Sequence, residues 1–251
     1  MHEKSQHDQS MFLTLTFRDD CLPDLSHPIY PYFQGFMKRH RARFPHLNIR
    51  FYMCFEYGDK FQRPHFHACI FGHFPDDAVQ YKRTRQGDNL FTSALLESLW
   101  PYGFCPFGEL TFESAAYVAR YCTKKVNGDK ADEHYSFTDP DTGEIIRRPS
   151  EFNRMSLKPG IGAAWLDRFY QDVYPSDEVI INGKPAKPPR YYDKRFAEKI
   201  DASTFSDVQW QRIIDMHENL EHNTPERLAV REKLAKATLR TKVRSLESHD
   251  G

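Results

Sequence analysis

"NIRFYMCFEYGDKFQRPHFHACIFG", residues 48–72, reads as two strands joined by a short turn at 58–64. Successive side chains on a strand point to opposite faces. Ile49, Phe51, Met53 and Phe55 therefore share one side of the first strand, and Arg50, Tyr52, Cys54 and Glu56 share the other. In the second strand Phe66, Ala68 and Ile70 form the apolar side, while His65, His67, Cys69 and Phe71 share the opposite one. The two imidazoles stand roughly 7 Å apart along the backbone, close enough to reach one divalent metal. Antiparallel pairing about the turn sets Glu56 opposite, or nearly opposite, His65, and opposed residues share a face. A slip of one residue in register would carry Glu56 to the wrong side. Taken alone, a His-x-His step is more often a pair of half-buried structural histidines, so the surrounding residues must decide.

Working outward, "MFLTLTF" (11–17) alternates as a strand, with Leu13, Leu15 and Phe17 against Thr14 and Thr16. Tyr32, Phe33, Phe36, Met37 and His40 follow helical spacing from Pro31 to about Phe44, and Pro45 closes the segment. Residues 76–100 read as a loop and then a helix ending near Leu99, and "FGELTFES" (107–114) as a short strand entering a helix. From 127 to 160 the chain turns polar, with a hairpin expected near "DTGEIIRR". A helix is expected over 160–174, a loop over "INGKPAKPPRYYDKR" and a charged helical tail over 205–245.

The 251 residues include 35 basic and 35 acidic side chains, a balance that argues against a protein coating nucleic acid without specificity. Basic segments at 37–43, 124–125, 147–148 and 184–195 are offset by acidic ones at 129–144 and 201–221, so a neutral total conceals local basic surface. The five cysteines are scattered with no CxxC pair, which fits reduced thiols rather than a disulfide framework or zinc site. No apolar run approaches the ~20 residues a membrane span needs. "MHEKSQHDQS" has no apolar stretch of the signal-peptide kind.

"FESAAYVARYCTKKV" (112–126) carries the second set of chemical groups. Tyr117 and Tyr121 lie four apart and share a helical face beside Lys124 and Lys125, while Ala115, Val118, Ala119, Cys122 and Val126 form an apolar stripe expected on the far side. Two surface tyrosines on a lysine-rich helix would be the plainer reading. A histidine-liganded metal with paired tyrosines suits attack on a phosphodiester. A phenol is a poor nucleophile until its anion is stabilised, and a phosphodiester a poor electrophile until its negative oxygens are neutralised. Imidazoles with a carboxylate suit Mn²⁺, and Mg²⁺ is the other hard cation that fits the task.

"RPHFHACIFG" resembles the His-hydrophobic-His motif of the HUH endonuclease superfamily, "FLTLTF" its first motif and "YVARYCTKK" its two-tyrosine motif. "KPGIG", "NGKPAKPPRYYDK" and "NTPERLAVRE" extend the resemblance to the replication initiators of microviruses, particularly the gokushovirus branch. The resemblance implies an α+β fold: a central antiparallel sheet of about five strands, ferredoxin- or RRM-like, with flanking helices and a helical C-terminal tail. It implies an HUH endonuclease domain over 1–175, and a basic loop with a charged helical region over 176–251. His65, His67 and Glu56 would hold Mg²⁺ or Mn²⁺. Tyr117 and Tyr121 would be the nucleophiles, with Lys124 assisting by charge or proton delivery. Arg120, Lys125, Lys184, Lys187, Arg190, Tyr191 and Lys194 are the candidate DNA contacts.

The reaction so implied is nicking and joining of single-stranded DNA at a phage origin through a 5′-phosphotyrosine. Host polymerase and helicase would be partners in the cytoplasm of an infected bacterium. No Walker A pattern is present, so no nucleotide cofactor is expected. Two other readings use part of the same residues. A non-catalytic single-strand binder would stack bases on Tyr191 and Tyr192 among the lysines, and a metal-dependent hydrolase would use water. Neither needs the tyrosine pair.

Overall fold

The computed structural model describes residues 1–58, 61–84, 87–120, 125–138 and 142–241. In chain order the first part contains β1 (Ser10–Thr16), α1 (Tyr30–Arg43), β2 (Arg50–Tyr57), β3 (Pro64–Phe71), β4 (Val79–Arg83), β5 (Asn89–Thr92), α2 (Ala94–Leu99), β6 (Phe107–Glu109), α3 (Phe112–Arg120), α4 (Lys130–Tyr135), β7 (Ser136–Thr138), β8 (Ile145–Arg147) and β9 (Phe152–Met155). It continues with α5 (Ala163–Phe169), β10 (Val179–Ile181), β11 (Lys184–Ala186), α6 (Arg190–Lys199), α7 (Ala202–Glu218) and α8 (Pro225–Thr241). None of the described helices is long and apolar enough to cross a membrane.

The main sheet is antiparallel, in the order β4-β5-β6-β1-β3-β2-β9, with the histidine strand β3 between β1 and β2. Its apolar face is a set of buried side chains at alternating positions: Met11, Leu13 and Leu15 from β1, Met53 and Phe55 from β2, and Phe66, Ala68 and Ile70 from β3. Phe33 of α1 packs on this face, 5.1 Å from the Phe51 ring and 5.6 Å from Phe66. Every second residue along each central strand is thus committed to the core. Its neighbours are delivered to the opposite face, where the polar groups lie.

The sheet has seven strands where about five are expected. The extra strands are edge elements that burial does not mark. β4 is exposed at every position, so no alternation announces it, and it is held by backbone pairing with β5. β9 comes from the polar stretch after 127 and pairs with β2 from Tyr52 to Phe55. The hairpin expected near "DTGEIIRR" is present as β7–β8.

Helix α1 ends over a buried imidazole pair. His40 Nε2 lies 2.9 Å from His73 Nδ1, and His40 has no solvent exposure. Burial, with the charges of His73 and Arg41 adding to it, pushes His40 down from 6.5 to about 3. A depressed imidazole means that the unfolded chain binds a proton the native one refuses. The corresponding stability is complete above about 6.5 and is lost as pH falls towards about 3. Urea titrations across that window should show a decline that His40→Phe flattens by a few kcal/mol, on the order set by linkage. An unchanged slope in the variant would assign the acid sensitivity elsewhere.

The chain divides into compact units at 161–162, rather than near 175. The second unit has its own core, in which Leu166, Val173 and Tyr174 pack with Tyr192, Phe196, Phe205 and Val208. This explains why α5 belongs with α6 and α7. The segment "INGKPAKPPRYYDKR" is a hairpin and a helix, not a loop. Asn182 and Gly183, at φ 48° and 74°, turn β10 into β11, as an Asn-Gly pair favours. Tyr192 is 4% exposed and stacks on Trp165, so it presents no face to a base. Gly162 makes room for it: at φ 80°, a Cβ there would stand 2.6 Å from the Tyr192 hydroxyl.

Candidate active site

The β2–β3 register puts Glu56 opposite His65 and Cys54 opposite His67, and β1 sets Thr16 and Thr14 opposite the same two histidines. All of these face away from the apolar core. One oxygen, Glu56 Oε1, lies 2.7 Å from His65 Nε2 and 3.0 Å from His67 Nε2. The potential ligand atoms of the three residues lie within 4.8 Å of one another. Donors about 2.1 Å from an octahedral ion stand ~3.0 Å apart when adjacent, which is the spacing seen here.

The outer ring nitrogens show what the inner ones can do. His65 Nδ1 is 3.0 Å from the Arg63 carbonyl, which can only accept, so this nitrogen carries the proton. In a neutral ring Nε2 then offers a lone pair, aimed at a carboxylate oxygen that also offers only lone pairs. Such an arrangement needs a positive charge, either a second ring proton or a cation shared by the donors. His67 Nδ1 is matched in the same way by Thr14 Oγ1 at 2.9 Å. Metal-binding imidazoles are held by this kind of outer hydrogen bond. Burial pushes the Glu56 carboxyl up, but hydrogen bonds from His65 and His67, with their charge, outweigh it and hold it at about 2. The group is 1% exposed and ionised at neutral pH. The donor set fits a divalent cation of the Mn²⁺ or Mg²⁺ class.

Helix α3 brings Tyr117 to the same place. Its start is fixed by a reciprocal cap: the Ser114 amide donates to Thr111 Oγ1 at 3.1 Å, and the Thr111 amide to Ser114 Oγ at 2.9 Å. Ser114, Tyr117 and Val118 form the buried side of α3. This reverses the expected orientation: the side carrying Tyr117 faces the sheet, while Ala119 is exposed. Tyr117 is 3% exposed, edge-on to His67 at 5.2 Å and to Phe12 at 6.1 Å. Phe12 in turn stacks on His67 at 5.5 Å.

Glu56, His65, His67 and Tyr117 are thus brought together. Tyr121 and Lys124 lie outside the described residues. Arg120 is half-buried and Lys125 exposed. Lys184, Lys187, Arg190, Tyr191 and Lys194 belong to the second unit and are exposed there. Lys187 donates to Asp177 at 2.8 Å, which Arg212 also holds, and Lys194 lies 3.8 Å from Glu198. Sequence reasoning missed Thr14 as the partner of His67. Its signal was the alternation of "TLT", which places Thr14 and Thr16 on the polar face beside the histidines.

Comparison with known proteins gives three phage relatives. The chain is 32% identical to the replication-associated protein VP4 of Bdellovibrio phage phiMH2K over 76% of its own length and 59% of the relative's. It is 30% identical to the replication-associated protein ORF2 of Spiroplasma virus 4 over the same shares, 76% and 59%. It is 25% identical to the replication-associated protein ORF4 of Chlamydia phage 1 over 84% of this chain and 52% of that one. The chain therefore spans between half and two thirds of the length of these relatives. No solved structure gives a significant match. Residues 10–126, which contain β1, the metal-type triad and Tyr117, match the family of the replication-associated protein ORF2, and through that span the chain belongs to this family.

Proposed function

We propose that the protein nicks and rejoins single-stranded DNA at a phage origin, starting and ending rolling-circle replication. The observation that carries this reading is the seat of Tyr117 against His67, inside a triad of metal-ligand type. With an ion held by Glu56, His65 and His67, the non-bridging oxygens of a phosphodiester would be neutralised there. The Tyr117 oxygen attacks phosphorus, forming the Oη–P bond as the P–O3′ bond breaks. The phenol proton leaves to solvent or to a base, and O3′ takes up a proton. The products are a 5′-phosphotyrosine and a free 3′-hydroxyl.

Tyr121 serves the second transfer, in which a released 3′-hydroxyl attacks the first link and closes a circle, and Lys124 assists by charge or proton delivery. Because each link is itself a phosphodiester, joining needs no nucleotide cofactor. The viral origin is the substrate, and host helicase and polymerase act alongside it in the cytoplasm of the infected bacterium. Residues 1–175 carry the chemistry, with Arg120 and Lys125 close to it in sequence. Lys184, Lys187, Arg190, Tyr191 and Lys194 contribute to holding DNA, Lys184 and Arg190 most directly because Lys187 and Lys194 each have an acidic neighbour. A hydrolase that activates water would leave the burial of Tyr117 beside His67 without a role. The test is cleavage of single-stranded oligonucleotides spanning the viral origin with Mn²⁺ and with EDTA. Metal-dependent release of a 3′-hydroxyl fragment, with the 5′ end blocked to kinase, supports the reading. A free 5′-phosphate instead would mean hydrolysis by water.

A further inference from the structure

The polar face of the main sheet continues beyond the triad. On the side of β1 away from β3, Met11, Phe12 and Leu13 pair with Glu109, Gly108 and Phe107. Two more backbone bonds carry the same register onward: the Thr14 amide donates to the Pro106 carbonyl at 2.9 Å, and the Thr16 amide to the Phe104 carbonyl at 3.0 Å. Phe104 is therefore opposite Thr16 and shares its face. Cys105, the next residue, is 1% exposed and belongs to the apolar core, as alternation requires. Phe104, Thr16, His65 and Glu56 thus form one row across the sheet. Phe104 stands two strand spacings, about 10 Å, from His65.

Phe104 is 43% exposed and meets Tyr81, 44% exposed, edge to face at 5.5 Å. An edge-to-face pair leaves an open π face. The backbone beneath the ring is firmly held. The Phe104 carbonyl also accepts from the Thr16 hydroxyl at 2.9 Å, and the Trp100 indole donates to the Thr16 carbonyl at 2.7 Å. Gly103 permits this approach, since a Cβ there would stand 2.3 Å from that same carbonyl oxygen. Lys82 and Arg83, exposed beside Tyr81 on the edge strand β4, supply positive charge suited to a phosphate backbone. Aromatic rings presented on a rigid base beside cations are what single-strand binding uses, because every base has a π face.

We infer that Phe104 and Tyr81 form a stacking platform for a base of single-stranded DNA close to the phosphate that the Glu56–His65–His67 triad receives. The inference rests on the single-stranded DNA reading above. The platform holds the strand along the row from Phe104 to Glu56 and does so with little regard to sequence, leaving base recognition to other contacts.

The test uses the whole protein and two fluorescein-labelled probes of equal length, oligothymidylate and a fully abasic strand, read by anisotropy without added metal. The wild type should prefer oligothymidylate. Phe104→Ala should weaken binding to oligothymidylate by about 5- to 150-fold and leave the abasic strand unaffected. The salt dependence should not change, because no phosphate contact is removed. Phe104→Leu, which fills the space against Tyr81 without offering a π face, should follow alanine, and Phe104→Trp should restore binding. Wild-type affinity in both the alanine and leucine variants overturns the platform and leaves the triad reading standing. An equal loss on both probes also overturns it, as an effect of charge or folding. A wild type that binds neither probe overturns the platform and the single-stranded DNA reading together.

Discussion

Replacing His67 with alanine is expected to abolish nicking of single-stranded DNA while leaving the protein folded and its DNA affinity nearly unchanged. The ring holds one corner of the triad, its Nε2 3.0 Å from Glu56 Oε1 and its Nδ1 tied to Thr14. Without it the site keeps one imidazole and one carboxylate, too few donors to hold a hard cation against water. Losing charge neutralisation worth several kcal/mol at the phosphate lowers the cleavage rate by at least about 10³-fold. His65→Ala should behave alike. Thr14→Val leaves the ligands and removes only the outer hydrogen bond, so Mn²⁺ affinity should fall by about 10–100-fold and excess metal should restore cleavage. Calorimetric titration with Mn²⁺ checks each step. Glu56→Ala that still cleaves normally at limiting Mn²⁺ would show that another residue is the third ligand.

The second large effect falls on the tyrosines. Tyr117 is buried through ring contacts with His67 and Phe12. Tyr117→Phe keeps those contacts and deletes only the hydroxyl, so stability should change by no more than about 1–2 kcal/mol. Nicking should fall but persist through Tyr121, and Tyr121→Phe should leave residual nicking through Tyr117. The double variant should have none, since no phenol remains to form the ester. Gel assays on an origin oligonucleotide separate the three cases. Activity surviving the double substitution would remove both tyrosines from the mechanism.

The hairpin and its register were legible in the sequence because two strands alternate cleanly about a short turn, which leaves Glu56 little choice but to oppose His65. The triad follows from that alone. The orientation of α3 was not legible. An apolar stripe points to a core, yet α3 packs on the polar side of the sheet, where the partners of Tyr117 are an imidazole and a phenylalanine. β4 lacked a signal because an exposed edge strand has no buried side to mark. The Asn182-Gly183 turn was in plain view, but the density of lysine and proline around it drew attention to charge. Among the adjacent tyrosines, the spacing of Tyr192 to Phe196 fits one buried helical side, and that spacing sends Tyr191 outward.

The account stands most directly on the covalent link. The wild type, incubated with single-stranded origin DNA and Mn²⁺, should give a species that survives denaturing electrophoresis, and peptide mapping should place the nucleotide on Tyr117 or Tyr121. EDTA should prevent its formation, as should His67→Ala. A nicked strand with no protein attached, or an adduct mapped to any other residue, would contradict the account.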